Sequence, residues 1–184
     1  MTLIEDDQRW AHVRRLVTDD GIDTATRVAG LLLLLFAQPL SRTSRIRLDQ
    51  VTQEEERVTL ALGSPPTVLP PPLDALVLEL VQQRYGYSAL GRSDDHPWLF
   101  PGKAGGQPIS SRQLMRKLTA LGIRARPARN TTLMDLSAEL PAVVLSRLLG
   151  LHISAAEKWI KEAASTRAAY AAELSHRNTF RRSP

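Results

Sequence analysis

Residues 28–51 read VAGLLLLLFAQPLSRTSRIRLDQV, an apolar run that ends at a proline and is followed by three arginines within six residues. The run at 31–36 is far shorter than the ~20 residues that a bilayer-spanning helix needs. Because residues 23–36 are apolar nearly all round, they predict a helix in the centre of the fold. Pro39 ends this helix, since proline cannot continue one. We therefore expect a buried helix and no membrane partner.

The rest of the pattern predicts a mostly α chain with a small antiparallel β-hairpin or sheet. The alternating stretch ERVTLAL at 56–62 predicts a strand, and 67–69 a short partner strand. Three capping boxes, in which a Ser or Thr is followed three residues later by Glu or Gln, predict helix starts. They begin at Thr2, Ser110 and Ser154, and the first predicts a helix over 3–17. Further helices are expected at 73–84, 131–139 and 141–150, a loop at 85–103 and a basic connector at 124–129.

Composition limits the chemistry that the chain can perform. Its 184 residues include no cysteine, and its four histidines are scattered without the spacing of metal ligands. We therefore expect no disulfide, no metal and no cofactor, and the lack of cysteine fits a cytoplasmic protein. The net charge is +5, and arginine carries nearly all of the positive charge. The planar guanidinium group of arginine binds phosphate with two parallel hydrogen bonds, which favours nucleic acid as partner. A genome-wide composition bias would raise the arginine content equally.

Several stretches, taken in order, resemble the catalytic domain of the tyrosine recombinase (phage integrase) family. The quoted stretch at 28–51 resembles the family's apolar helix and the turn after it. The others are ERVTLALGSPPTVLPPPLDALVLEL at 56–80, PWLFPGKAGGQPISSRQLMRKL at 97–118 and LSRLLGLHIS at 145–154. The resemblance extends from 23 to 170 and implies that family's catalytic-core fold. Only about one helix precedes the apolar helix, so we expect the family's N-terminal DNA-clamping domain to be missing.

The resemblance also implies where catalytic groups would lie. In the family, two arginines, one or two histidines and a lysine assist a tyrosine that attacks a DNA phosphate. The first arginine falls at Pro39, the lysine at 63–66 (GSPP), and the second arginine at Ala128. Arg126 and Arg129 flank that last position, so a one-residue shift of the alignment restores one arginine. The catalytic set is therefore substituted at these positions.

The remaining catalytic positions are substituted as well. The histidine that follows the Leu-Leu-Gly segment falls at Leu151, next to His152, and the tyrosine falls at Trp159 or Ile160. Loss of one oxyanion donor alone costs ~10²–10³ in rate. We therefore expect a pseudoenzyme that does not cleave strands. A divergent active recombinase with Tyr170 as a displaced nucleophile is the enzymatic alternative.

A second interpretation of the C-terminal helices is a helix-turn-helix. Residues 141–163 read as an apolar helix, a Leu-Gly turn, a serine cap and a helix with lysines. On this interpretation Ala155, Ala156 and Lys158 are the early exposed positions of a helix that enters the major groove. An ordinary pair of packed helices joined at Gly150 explains the same pattern.

The function predicted is DNA binding in a recombination or integration context, with double-stranded DNA as partner. We expect a single domain at 1–176 and a flexible basic tail at 177–184. A homo-oligomer or a larger recombinase partner is compatible with this, and so is association with the nucleoid. A protein-interaction scaffold that binds no DNA is the remaining alternative. The residues expected to contact phosphate are Arg42, Arg45, Arg47, Arg112, Arg116, Lys117, Arg124, Arg126, Arg129 and Lys158.

Overall fold

A computed structural model describes residues 1–88, 97–103 and 106–180, with side chains described up to residue 83 in the first range and up to residue 174 in the last. Its described part contains eight α-helices and a three-stranded antiparallel sheet. The fold class is therefore the mostly α class that was predicted. The elements are α1 (Asp6–Thr18), α2 (Thr24–Phe36), α3 (Leu40–Thr43), β1 (Val51–Glu54), β2 (Arg57–Leu60), β3 (Thr67–Val68), α4 (Leu73–Ser88), α5 (Ser111–Ala120), α6 (Ala125–Glu139), α7 (Ala142–Leu149) and α8 (Ile153–Phe180).

Helix α2 is the centre of the molecule, as its apolar sequence predicts. Leu31 to Leu34 are at most 1% exposed, and α1, α4, α5 and α6 all pack against the helix. Full burial of a leucine side chain stabilises a fold by roughly 1.5–3 kcal/mol. A smaller apolar cluster lies between α6, α7 and α8 around Leu133, Leu145 and Ala156. No helix within the described residues combines the length and the hydropathy of a membrane span.

Two buried arginines fix α1 against the central helix. The Arg27 Nε atom donates to the Leu16 carbonyl at 2.7 Å, and its Nη2 atom donates to the Val17 carbonyl. The guanidinium thus satisfies free carbonyls at the C-terminal end of α1. Arg9 binds Asp6 and Asp135 and donates to the Leu34 carbonyl, which joins α1 to both α2 and α6. Both side chains therefore have structural roles.

The sheet has the order β1-β2-β3, with Val51 opposite Leu60 and Thr59 opposite Val68. The pairing of the strand at 56–62 with 67–69 is confirmed. Strand β1 was not predicted, because three of its four residues are polar and exposed. Beyond β2, the chain at Gly63 lies so close to α7 that an added Cβ would be 1.8 Å from the Arg147 carbonyl oxygen. The Ser64 amide donates to that same oxygen.

Several predicted helix boundaries are wrong. Helix α1 begins at Asp6 because residues before it are extended and hydrogen-bonded to α6, where Thr131 Oγ1 contacts the amide and the carbonyl of Ile4. Trp10 of this helix is 41% exposed. The supposed basic connector is the start of α6, since Pro127 occupies the first turn, where a helix tolerates proline. Helix α8 begins one residue before the predicted Ser154 cap.

The capping box at Ser110 is confirmed, with the backbone N–H of Gln113 donating to the Ser110 hydroxyl at 3.1 Å. Helix α4 continues to Ser88, so the predicted loop at 85–103 starts later than expected, and 89–96 and 104–105 lie outside the described residues. In the predicted basic tail, α8 continues to Phe180, and 181–184 lie outside the described residues.

Asp23 caps α2, and its substitution tests how much that cap stabilises the fold. It accepts from the Thr26 amide and hydroxyl and from Lys117 Nζ. Burial raises the Asp23 pKa, but the Thr26 hydrogen bonds and the Lys117 charge outweigh it, so the pKa lies below its ordinary 3.8. A lowered pKa stabilises the fold above pH 3.8, and this contribution is lost as the pH falls through the folded-state pKa.

We expect Asp23→Ala to lower the free energy of unfolding by about 1 kcal/mol at neutral pH. Asp23→Asn should lose less, because asparagine still accepts from the Thr26 amide. Urea denaturation at pH 7 and at pH 3 measures both differences. A difference between the wild type and Asp23→Ala that is larger at pH 3 than at pH 7 would contradict this account.

Candidate anion-binding cleft

A cleft lies where α3, the sheet and the start of α5 meet. Its volume is about 750 Å³, and none of the described side chains that line it is acidic. Arg42 and Arg45 contribute its positive charge. Its polar but uncharged lining residues are Gln38, Ser41, Ser44, Gln50, Gln107, Ser110 and Ser111. A cleft whose described lining has cations and hydroxyls but no carboxylate is suited to an anion such as phosphate.

Arg42 connects three elements at one end of this cleft. Its Nη2 atom donates to the Leu62 carbonyl at 2.9 Å, and its Nη1 atom donates to the Leu149 carbonyl at 2.7 Å. Leu62 follows β2, and Leu149 is the last residue of α7. Gly150 ends that helix in the left-handed conformation at φ 64°, and an added Cβ there would lie 2.7 Å from the Arg42 guanidinium. The side chain therefore holds α3, the sheet and the α7–α8 turn together.

Arg129 brings a second guanidinium close to Arg42. Its Nε atom donates to the Ala37 carbonyl at 2.8 Å, just beyond the end of α2. Burial, and then the positive charge of Arg42, lower the Arg129 pKa. Within the described residues neither arginine forms an ion pair with a carboxylate. An anion between the two guanidiniums would relieve their repulsion.

The structure divides the other predicted phosphate-contacting residues into groups. Arg45 lines the cleft, and Arg112 follows the cleft residue Ser111 on α5, with Arg116 one turn later; all three are exposed. Two others are engaged in ion pairs: Arg47 with Asp49 at 3.1 Å and Lys117 with Asp23 at 3.3 Å. Arg124 is exposed just before α6. Arg126 and Lys158 line a separate cavity.

The positions that the family resemblance assigned to catalysis also have defined places. Pro39 precedes α3, and residues 63–66 form the turn that packs on α7. Ala128 is fully buried, and its neighbour Arg129 donates to the Ala37 carbonyl. His152 is exposed, with its Nδ1 atom 2.7 Å from the Ser154 hydroxyl. Tyr170 is 64% exposed and lies ~16 Å along α8 from Trp159, at 1.5 Å per residue.

The exposed positions expected of a helix-turn-helix are only partly found. Helices α7 and α8 are joined at Gly150, as expected. Ala156, however, is fully buried in the cluster between α6, α7 and α8, and Ala155 is half-buried. These two predictions are wrong because the first turns of α8 pack against the protein. Lys158 is exposed.

Sequence reasoning missed the uncharged residues of the cleft. Gln107 comes from an extended segment whose sequence carries no local signal, and it is held by the Gly102 amide, which donates to the Gln107 carbonyl at 2.8 Å. Ser110 was recognised only as a helix cap. Groups of His, Cys, Asp or Glu able to hold a metal ion are absent from the part of the chain that the structure describes.

No family model and no curated protein matches the sequence. Solved structures of site-specific recombinases do match. XerH bound to palindromic difH substrate, in a post-cleavage complex, has a TM-score of 0.68 and 13% identity, and the match covers 95% of this chain and 53% of XerH. XerA recombinase has a TM-score of 0.61 and 12% identity, with 100% of this chain and 66% of XerA covered. XerH bound to difH in a pre-cleavage complex has a TM-score of 0.61 and 14% identity, with 90% and 54% covered.

The chain thus spans roughly one half to two thirds of the length of these recombinases. Identities of 12–14% establish the fold alone. That fold is the tyrosine recombinase-like catalytic-core fold, which confirms the architecture implied by the sequence resemblance.

Arg42→Met tests whether this arginine stabilises the wall of the cleft. The change leaves the Leu62 and Leu149 carbonyls without their donor, so we expect the free energy of unfolding to fall by about 1–3 kcal/mol. Arg45→Met removes the same charge without removing a comparable contact and should stay within about 0.5 kcal/mol of the wild type. Urea denaturation at pH 7 compares the two. Equal losses would show that Arg42 has no special role in stability.

Proposed function

We propose that this chain is a recombinase-like protein that binds duplex DNA in a recombination or integration context and does not cleave it. The observation that carries the proposal is a cleft lined by Arg42 and Arg45, with no acid among the described residues that line it, within a tyrosine recombinase-like fold. Two of the similar structures are of XerH bound to its difH substrate. A polyanion recognised in this cleft would lie against a surface that continues onto α5.

Helix α5 supplies the second part of the proposed binding surface. Arg112 and Arg116 are one turn apart, so they share a face of the helix. Both are exposed and, within the described residues, neither is paired with a carboxylate. Contacts between such arginines and phosphate contribute affinity and orientation, but little sequence information. We therefore expect binding to depend on salt more than on base sequence.

A separate acidic surface, at the β1–β2 hairpin, supports this assignment. The hairpin between β1 and β2 carries Glu54, Glu55 and Glu56, and Asp74 lines the same shallow pocket. Anionic side chains repel phosphate, so DNA bound at the cleft would avoid the hairpin tip. The chain thus has an acidic surface and an arginine-lined cleft despite a single net charge of +5.

The absence of strand cleavage is part of the proposal. At the implied catalytic positions the chain has Pro39, Ala128 and Trp159 or Ile160, which supply neither an oxyanion donor of the required type nor a tyrosine nucleophile. Tyr170 lines neither the cleft nor the cavity at Trp159. We further propose that a second copy or a larger recombinase acts with this chain.

Arg112→Ala/Arg116→Ala tests the proposed surface. Fluorescence anisotropy with a labelled random-sequence duplex should show micromolar binding by the wild type that weakens steeply with salt. Removal of two phosphate contacts should weaken binding and reduce the slope of log K against log salt concentration by about 2. The matched control is Arg14→Ala/Arg57→Ala, which removes the same charge from α1 and from the acidic hairpin. Equal losses in the two variants would reduce the effect to net charge.

Absence of wild-type binding even at low salt would reject duplex DNA as partner and favour the scaffold alternative. Exposed Val143 and Val144 on α7 would then be the first surface to examine.

A covalent adduct tests the absence of cleavage. We expect no protein–DNA adduct on a nicked duplex under denaturing electrophoresis, with the wild type and with Tyr170→Phe alike. An adduct that forms with the wild type and is lost in Tyr170→Phe would establish the divergent recombinase with a displaced nucleophile.

A further inference from the structure

A second cavity lies between α6 and the first turns of α8. Its volume is about 600 Å³, within the range of small-molecule sites. Helix α6 contributes Arg126, Pro127 and Asn130, α8 contributes Lys158, Trp159 and Glu162, and the segment before α1 contributes Met1 and Thr2. The cavity therefore combines a flat apolar surface with cations. It shares no lining residue with the arginine-lined cleft.

Trp159 gives this cavity a rigid aromatic wall. The side chain is half-buried and packs against the apolar cluster between α6, α7 and α8, while it also lines the cavity. A ring that is already held in place loses little conformational freedom when a planar group stacks on it. Pro127 adds a second flat apolar surface from α6. An aromatic ligand would bury its faces here.

Arg126 and Lys158 provide positive charge from the two helices. Both are exposed, and within the described residues neither is in an ion pair. Glu162 lies one turn after Lys158 on α8, yet the two do not come within ion-pair distance there. Two cations against one carboxylate leave this group of side chains net positive. The ligand is therefore expected to carry an anionic group beside its planar part.

We propose that this cavity binds a nucleotide, with the base stacked on Trp159 and the phosphate between Arg126 and Lys158. Base stacking on an aromatic side chain does not require a particular base, because every base has a π-face. The inference goes beyond duplex binding, because a base that is paired inside a duplex cannot enter a cavity. The nucleotide can come from two sources: a free mononucleotide or an unpaired nucleotide of a DNA strand.

Quenching of Trp159 fluorescence measures the interaction directly. The chain has three tryptophans, so Trp10→Phe/Trp98→Phe leaves Trp159 as the single reporter. The probes are deoxyadenosine monophosphate, a single-stranded pentanucleotide, deoxyadenosine and inorganic phosphate. We expect saturable quenching by the first two and little by the last two, since each of these lacks one half of the ligand. Tighter binding of the pentanucleotide would indicate a DNA strand as the source, and equal binding a free nucleotide.

Arg126→Ala/Lys158→Ala should weaken this binding about tenfold or more. The matched control is Arg124→Ala/Lys161→Ala, which removes two neighbouring exposed charges that do not line the cavity. Both variants change exposed side chains only, and circular dichroism verifies their folding. Isothermal titration calorimetry repeats the comparison with the three tryptophans intact.

Absence of saturable binding by both nucleotide probes would overturn the proposal, and so would equal weakening in the variant and its control. The outcome is separable from that of duplex binding. Arg112→Ala/Arg116→Ala should leave the quenching of Trp159 unchanged. In the duplex assay, Arg126→Ala/Lys158→Ala should change the salt slope less than Arg112→Ala/Arg116→Ala does.

Discussion

The free carbonyl groups at the C-terminal end of α2 determine how the surrounding elements meet. Pro39 prevents the helix from continuing, so its last carbonyls need donors from elsewhere. Arg9 of α1 and Thr132 of α6 donate to the Leu34 carbonyl, at 3.1 and 2.9 Å, and Arg129 donates to the Ala37 carbonyl. Cations are also favoured here by the negative end of the helix dipole. The buried helix thereby sets the position of α6, and with it the position of the Arg129 guanidinium.

The same arrangement explains how the fold accommodates the repulsion between the positive charges of Arg129 and Arg42. Each guanidinium is held by backbone carbonyls from a different element, and these partial negative charges offset part of the repulsion. Arg42 depends on Gly150, because only a residue without a side chain leaves room for its guanidinium at that left-handed position. Arg42 therefore connects the cleft to the turn between α7 and α8. A change at Gly150 would act on the cleft although it lines no part of it.

The sequence was sufficient to predict the central helix, the β2–β3 pairing and the Ser110 cap, because each depends on local pattern. It failed where a distant contact overrides local preference. Residues 2–5 have the pattern of a capping box, but the backbone of Ile4 is hydrogen-bonded to Thr131, which is far away in the chain. The basic stretch at 124–129 reads as a connector because of Pro127, yet proline is acceptable in a first helical turn. A single sequence does not show the contact with Thr131.

Prediction of the candidate site was limited in the same way. The sequence identified the basic residues, but their count does not separate their roles. Arg9 and Arg27 are buried structural donors, and Arg47 and Lys117 are neutralised by neighbouring carboxylates. Within the described residues, Arg42, Arg45, Arg112 and Arg116 have no carboxylate partner. A composition bias raises the number of arginines everywhere, but it does not by itself place arginines in a cleft whose described lining has no acid. The placement of the charges, rather than the net charge of +5, therefore favours an anionic partner at this cleft.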